Sequence, residues 1–359
     1  MKQILIIALA VGMFFNLGAG YRGNDLFQVI SSHPHDLEEL EPFIETVYQN
    51  GRLWVVQLHQ NAPEEILQHL KPISGHEKSY EHQGQWISNI KFRNKSDPTK
   101  QIVASVNKEN IRKDVVELAS YETRYTGTDD NRKAVAATSK RFSSMGYTVK
   151  EICYAPGACS IIAEKIGKTD PTNVMLVMAH IDSVGEEFAG ADDNASGVAV
   201  VLEMARVLKD VQNRKTLRFF ITNGEELGLV GATHYAKALV TSNEIKNISL
   251  AINMDMVGYN SNGIVELETD PQYESLAQWF SDLASKYTTL KTKITLGAWG
   301  SDHVPFLKRG VPSILTIENW DTKTPCYHKK CDRPETLNYD YAAEIAKLNV
   351  SAVLNKDLQ

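Results

Sequence analysis

Histidine and carboxylate side chains stand where the apolar runs of this sequence end. Val174 to Ala179 leads into His180-Ile181-Asp182, and Thr216 to Thr222 into Gly224-Glu225-Glu226. Leu250 to Met256 carries Asp255, and Tyr327-His328 follows the run Pro312 to Ile317. After the first run comes Gly190-Ala191-Asp192-Asp193-Asn194-Ala195-Ser196-Gly197. One such residue at a strand end is usually a cap or a satisfied polar group. Several on one edge are another matter, because crowded carboxylates repel unless cations neutralise them. Imidazole and carboxylate donors suit zinc, with manganese or cobalt as alternatives. The chemistry they point to is a metal-activated water.

These residues need elements to carry them. The four apolar runs are predicted strands buried on both faces. Predicted helices alternate with them: Ala195 to Leu208, with Val198, Val201, Leu202, Ala205 and Leu208 on one stripe, then Gly231 to Leu239, Tyr273 to Tyr287 and Tyr339 to Val353. That alternation predicts a three-layer α/β/α fold with a mostly parallel central sheet. In such sheets ligands sit outside the carboxyl ends of the strands, which is where the histidines and carboxylates fall.

The chain has 359 residues, 43% hydrophobic and 23% charged, with a net charge of -6. These are values of a globular protein, and no basic face suggests nucleic acid. Residues 1–20 combine a basic start, a short apolar run and a small-residue exit, the pattern of a secretory signal peptide, and no other segment is apolar enough to span a bilayer. Residues 21–100 form a small N-terminal α+β pro-segment or domain, with a strand at Leu53 to Leu58, a short helix at Pro63 to Leu70 and a polar linker at Asn94 to Lys100. Its His33, His35, His59, His69, His76 and His82 lack ligand spacing and are expected at the surface. Residues 101–359 form the catalytic domain. Cys153 and Cys159 are close in sequence, as are Cys326 and Cys331. Three pairings are open, and pairing within each close pair is the simplest in an exported chain; a cysteine metal site fits the spacings less well. The expected location is secreted or periplasmic, and the expected state a monomer.

His180-x-Asp182, Gly190-Ala191-Asp192-Asp193-Asn194-Ala195-Ser196-Gly197, Glu225-Glu226-x-Gly228-Leu229-x-Gly231, Asn253-Met254-Asp255-Met256, Ser301-Asp302-His303 and the late His328 resemble the secreted bacterial leucyl-type co-catalytic di-zinc aminopeptidases. The resemblance covers about residues 105–355. It implies two zinc ions per chain, with Asp193 bridging, His180 and Asp255 on one ion, and Glu226 and His328 on the other. It makes Glu225 the general base, Asp182 the acceptor for the other His180 ring N–H, and the Asp193–Asn194 peptide cis. It sets His303 near the site without binding metal.

The substrates implied are peptide and protein N-termini. Met256, Leu315, Ile317 and Tyr327, with Trp320, would line the side-chain pocket and favour leucine and other large apolar first residues. Glu318 at the rim would instead admit Lys or Arg. Asp192 is expected to face solvent or serve as a helix N-terminal charge, and His234 to be exposed. The tyrosine that relatives place before Ser-Asp-His is missing; Trp299 stands there and its N–H is an alternative oxyanion donor. Three rivals share the core: a single-zinc glutaminyl cyclase, a non-catalytic binding domain, and a carboxypeptidase or amidohydrolase. A bridging Asp193-Asn194-Ala195-Ser196-Gly197 segment and a full ligand set favour the aminopeptidase.

Overall fold

The computed structural model describes residues 97–185 and 187–358 in full, and four strands of the preceding segment by their backbone. The chain divides into two units, residues 1–94 and 95–359. In the first, β1 (Leu26–Ile30), β2 (Ile44–Asn50), β3 (Leu53–Leu58) and β4 (Lys71–Pro72) form an antiparallel sheet in the order β2-β3-β1-β4. The strand expected at Leu53 to Leu58 is β3. The expected signal peptide, the helix at Pro63 to Leu70 and the six N-terminal histidines lie outside the described residues.

The second unit opens with three helices, α1 (Pro98–Val103), α2 (Lys108–Leu118) and α3 (Asp129–Ser144). Part of the expected linker is thus helical: Asp97 caps α1 by accepting the Thr99 N–H at 3.0 Å, with Pro98 at the first helical position. There follow β5 (Thr148–Ala155), β6 (Ala158–Lys165), β7 (Asp170–His180), α4 (Gly197–Leu208), β8 (Lys215–Thr222), α5 (Val230–Thr241), β9 (Ile248–Met254) and β10 (Ile264–Thr269). The unit closes with α6 (Glu274–Tyr287), β11 (Lys291–Leu296), α7 (Val304–Leu307), β12 (Ser313–Glu318) and α8 (Tyr339–Leu358).

The eight strands form one sheet, in the order β11-β10-β12-β9-β7-β8-β6-β5. The four central strands, β12, β9, β7 and β8, run parallel, while β6 and β5 on one side and β10 on the other pair antiparallel to their inner neighbours. The sheet is therefore mixed, with a parallel centre. Alternation along β7 sets the layers: Met175, Val177 and Ala179 join the core under α2, α3, α4 and α8, and Val174, Leu176 and Met178 join the core under α5. Both faces are covered, which is why this strand reads as an unbroken apolar run. Among the described residues, no helix is long and apolar enough to cross a membrane.

Candidate metal centre

The carboxyl ends of β7 and β9, and the loops after β8 and β12, meet at one edge of the sheet. His180 ends β7, and its Nε2 lies 3.2 Å from Asp193 Oδ1 and 3.3 Å from Asp255 Oδ1. The other oxygen of Asp193 lies 3.1 Å from His328 Nε2, which is itself 3.3 Å from Glu226 Oε2. Two triads result, His180–Asp193–Asp255 and Asp193–Glu226–His328, and each holds its ligand atoms within 4.8 Å of one another. They share Asp193. Glu225 lies beside them, within the same limit of His180 and Glu226. All five expected ligands and the expected base are thus brought together.

Local backbone puts them there. Asp193 sits in a tight irregular turn, Ala191–Ser196, that precedes α4, and the Asp193–Asn194 peptide is cis. Asn194 fastens this turn to the end of β9, with its side-chain amide donating to the Met254 carbonyl at 2.9 Å. Gly197 lies so close to Asn194 and to the Met254 carbonyl that a Cβ would collide with them. Asp255 is held from behind, since Ser301 donates to its Oδ2 at 2.7 Å and Asn253 donates to Ser301 at 2.8 Å.

Three residues differ from their sequence expectations. Asp182 does more than face His180. Its own backbone carbonyl is the nearer partner of His180 Nδ1, at 3.1 Å, with its carboxylate at 3.6 Å. That carboxylate receives the backbone N–H groups of Glu225 and Glu226, at 3.2 and 3.1 Å, because the β8 turn folds over it. Asp192 is fully buried and does not face solvent. The turn tucks it inward, where its Oδ1 accepts from Gly258 N–H at 2.8 Å and from the Ser196 hydroxyl at 3.2 Å. Glu318 is 2% exposed and away from the rim; its carboxylate points back to accept the Thr324 N–H at 2.8 Å. His234 is exposed, as expected.

Two positioning residues escaped sequence reading. Arg124 is fully buried, and its guanidinium donates to the carbonyls of Leu118, Ile181, Ala189 and Gly190, bracing the loop that leads from β7 to Asp193. Burial lowers its pKa to about 10, opposed by Asp332, Asp182 and Asp193. Asp332 accepts the N–H groups of Asp192 and Asp193, at 2.8 and 3.1 Å. Neither residue lies on a periodic pattern, and their partners are backbone groups, so no sequence signal marks them.

The donor set suits divalent cations. Burial and the neighbouring Asp193 push Glu226 up to about 7, and burial with Asp255 and Asp302 pushes Glu225 up to about 10, against the pull of His180. Hydrogen bonds to Asp193 and Glu226 raise His328 to about 10. Crowded carboxylates thus draw positive charge from every neighbour. Glu226 Oε1 is buried with no hydrogen-bond partner, an oxygen left for a metal. Imidazole and carboxylate donors in sets of three are the ligands zinc takes at catalytic sites.

A cavity of about 460 Å³ opens beside the triads. One wall is apolar: Met256, Leu315 and Ile317 pack together, with Trp320 and Tyr327 against them. The expected pocket residues therefore gather at the site. Beside it, outside the sequence expectation, Glu266, Glu268, Lys293 and Asp321 make a charged stretch of the lining. Trp299, 59% exposed, stands at the cavity and donates its backbone N–H to Glu268 at 3.0 Å. His303 is fully buried behind that stretch, with Nε2 3.3 Å from Glu268 Oε1.

The sequence profile of peptidase family M28 matches residues 160–353, which contain every residue of the two triads. The chain belongs to peptidase family M28. Aminopeptidase YwaD of Bacillus subtilis is 36% identical over 201 residues, covering 52% of this M28 peptidase and 43% of YwaD. A probable leucine aminopeptidase 1 of Trichophyton verrucosum is 29% identical over 290 residues, covering 72% and 76% of the two chains. LapB of Legionella pneumophila shares the fold with a TM-score of 0.68 at 19% identity, over 93% of this chain and all of LapB. The glutaminyl cyclase of Porphyromonas gingivalis shares it with a TM-score of 0.59 at 21% identity, over 70% and 99%.

Both disulfides of the M28 peptidase join close pairs, Cys153–Cys159 and Cys326–Cys331. The first crosses the β5–β6 hairpin, where the two residues face each other. The second closes the loop that holds His328, whose φ of 53° is unusual for a residue with a Cβ.

Proposed function

We propose that this M28 peptidase is an aminopeptidase that binds two zinc ions per chain and removes single residues from the N-termini of peptides and proteins. The observation that carries this is the shared Asp193 carboxylate, with one oxygen facing His180 and the other His328. His180 and Asp255 would hold one ion, Glu226 and His328 the other, and Asp193 both. Zinc held there would supply a Lewis acid for the scissile carbonyl and would lower the pKa of a bound water.

The side chains do the rest. Glu225, on the turn held by Asp182, takes the proton of the attacking water and passes it to the leaving amine. The acidic edge offers negative charge to the free α-ammonium of the substrate. Met256, Leu315, Ile317 and Tyr327 receive the first side chain, which fits leucine and other large apolar residues. A glutaminyl cyclase with one zinc would fill only one of the two triads and leave the ligands of the other unexplained, so the two-ion reading is the better one. Residues 1–20 act as a signal peptide, residues 21–100 as a pro-segment or small domain, and the protein is a secreted or periplasmic monomer.

Glu225→Gln tests the reading. Turnover of leucyl-p-nitroanilide should fall by about 10²- to 10⁴-fold while bound zinc is retained, because the base is not a ligand. Near-normal turnover would refute the role.

A further inference from the structure

The floor of the cavity changes character one strand away from its apolar wall. Glu268 pairs with Leu315 and Glu266 with Ile317 across β10 and β12. Across β10 and β11, Thr295 pairs with Glu268 and Lys293 with Glu266. Paired residues share one face of a sheet, with Cβ atoms about 5 Å apart, and all six line this cavity. From β12 outward the floor therefore reads apolar, then acidic, then Lys293 and Thr295.

The charges on this floor are unequally engaged. Lys293 contacts Glu266 at 3.3 Å and Asp321 at 2.9 Å, and Glu266 also accepts the Trp320 N–H at 3.0 Å. Glu268 has no lysine or arginine partner among the described residues. Its Oε1 accepts the Trp299 N–H and faces His303, and its Oε2 receives no donor from the described residues. Three carboxylates, Glu266, Glu268 and Asp321, against one lysine leave this end of the cavity negative.

We propose that Glu268 is a specificity-determining residue that admits lysine or arginine as the first residue of the substrate. The aliphatic stem of such a side chain lies along Leu315 and Ile317, and its cationic head meets Glu268 in a charge-assisted hydrogen bond. Apolar first residues use the same wall and stop short of the carboxylate. This rests on the aminopeptidase reading and extends it from apolar to basic first residues.

Lysyl- and norleucyl-p-nitroanilide test it, because the two share a straight four-carbon stem and differ in the terminal ammonium. The wild-type protein should have a higher kcat/KM for lysyl, and Glu268→Gln, which keeps an acceptor for Trp299 N–H, should lower the lysyl-to-norleucyl ratio by about ten- to a hundredfold. A wild-type ratio at or below one would overturn the proposal without any variant. So would an unchanged ratio in a Glu268→Gln protein with wild-type thermal unfolding. Turnover of norleucyl without preference for lysyl leaves the aminopeptidase reading standing and removes this one. No turnover of any aminoacyl substrate by the wild type would remove both.

Discussion

The carboxylate of Asp182 receives the backbone N–H of Glu225 at 3.2 Å, so the proposed general base is aimed by a residue that belongs to neither triad. The same carboxylate holds the N–H of Glu226 and is itself fully buried. One side chain thus orients two neighbouring carboxylates with different tasks, one proposed for proton transfer and one for metal. Asp182→Asn keeps one acceptor and loses the charge that strengthens both bonds. Its kcat for leucyl-p-nitroanilide should fall by about ten- to a hundredfold, with weakened zinc at the Glu226 position. Steady-state kinetics with zinc titration would check this, and unaltered kcat would contradict it.

Arg124 should matter for stability before it matters for chemistry. Its guanidinium satisfies four carbonyls, those of Leu118, Ile181, Ala189 and Gly190, in a place no water is needed to fill. Arg124→Leu leaves those acceptors buried and unpaired, each a desolvation cost. The expected loss is on the order of 3 kcal/mol or more, read from urea unfolding. A loss below about 1 kcal/mol would mean that the loops relax to pair elsewhere.

The Cys326–Cys331 bridge closes a loop of five-residue separation around His328. Replacing both cysteines by serine should loosen His328 and weaken one zinc more than the other, since His180, at the end of β7, and Asp255, just after β9, are not carried by this loop. Zinc titration should then resolve a tight and a weak site. Two sites of unchanged affinity would show that Tyr327, stacked on the His328 ring at 3.8 Å, and the backbone suffice to hold it.

Much of this was legible in the sequence, for a physical reason. Strands buried on both faces, such as Val174 to Ala179, are uninterrupted apolar runs, so a histidine or carboxylate at their end is conspicuous. The flanking strands were missed. Ile264-Val265-Glu266-Leu267-Glu268-Thr269 alternates with period two, because β10 buries Val265 and Leu267 on one side and presents Glu266 and Glu268 to the cavity on the other. That alternation was the available signal, and with it the acidic wall would have been seen. Asp192 was misread because a carboxylate before a helix usually faces solvent near the N-terminus, whereas here an irregular turn folds it under Gly258. Arg124 and Asp332 act on backbone groups distant in sequence, which no residue pattern reports.

Asp193 is proposed to join two metal sites. Zinc per chain, measured by elemental analysis on the protein and on His180→Ala and His328→Ala, tests it most directly. Two ions are expected in the wild type, with loss of tight binding at one site in each variant and recovery of aminopeptidase activity when zinc is returned to the chelated wild type. A single ion in the wild type, or full activity in a zinc-free chain, would contradict it.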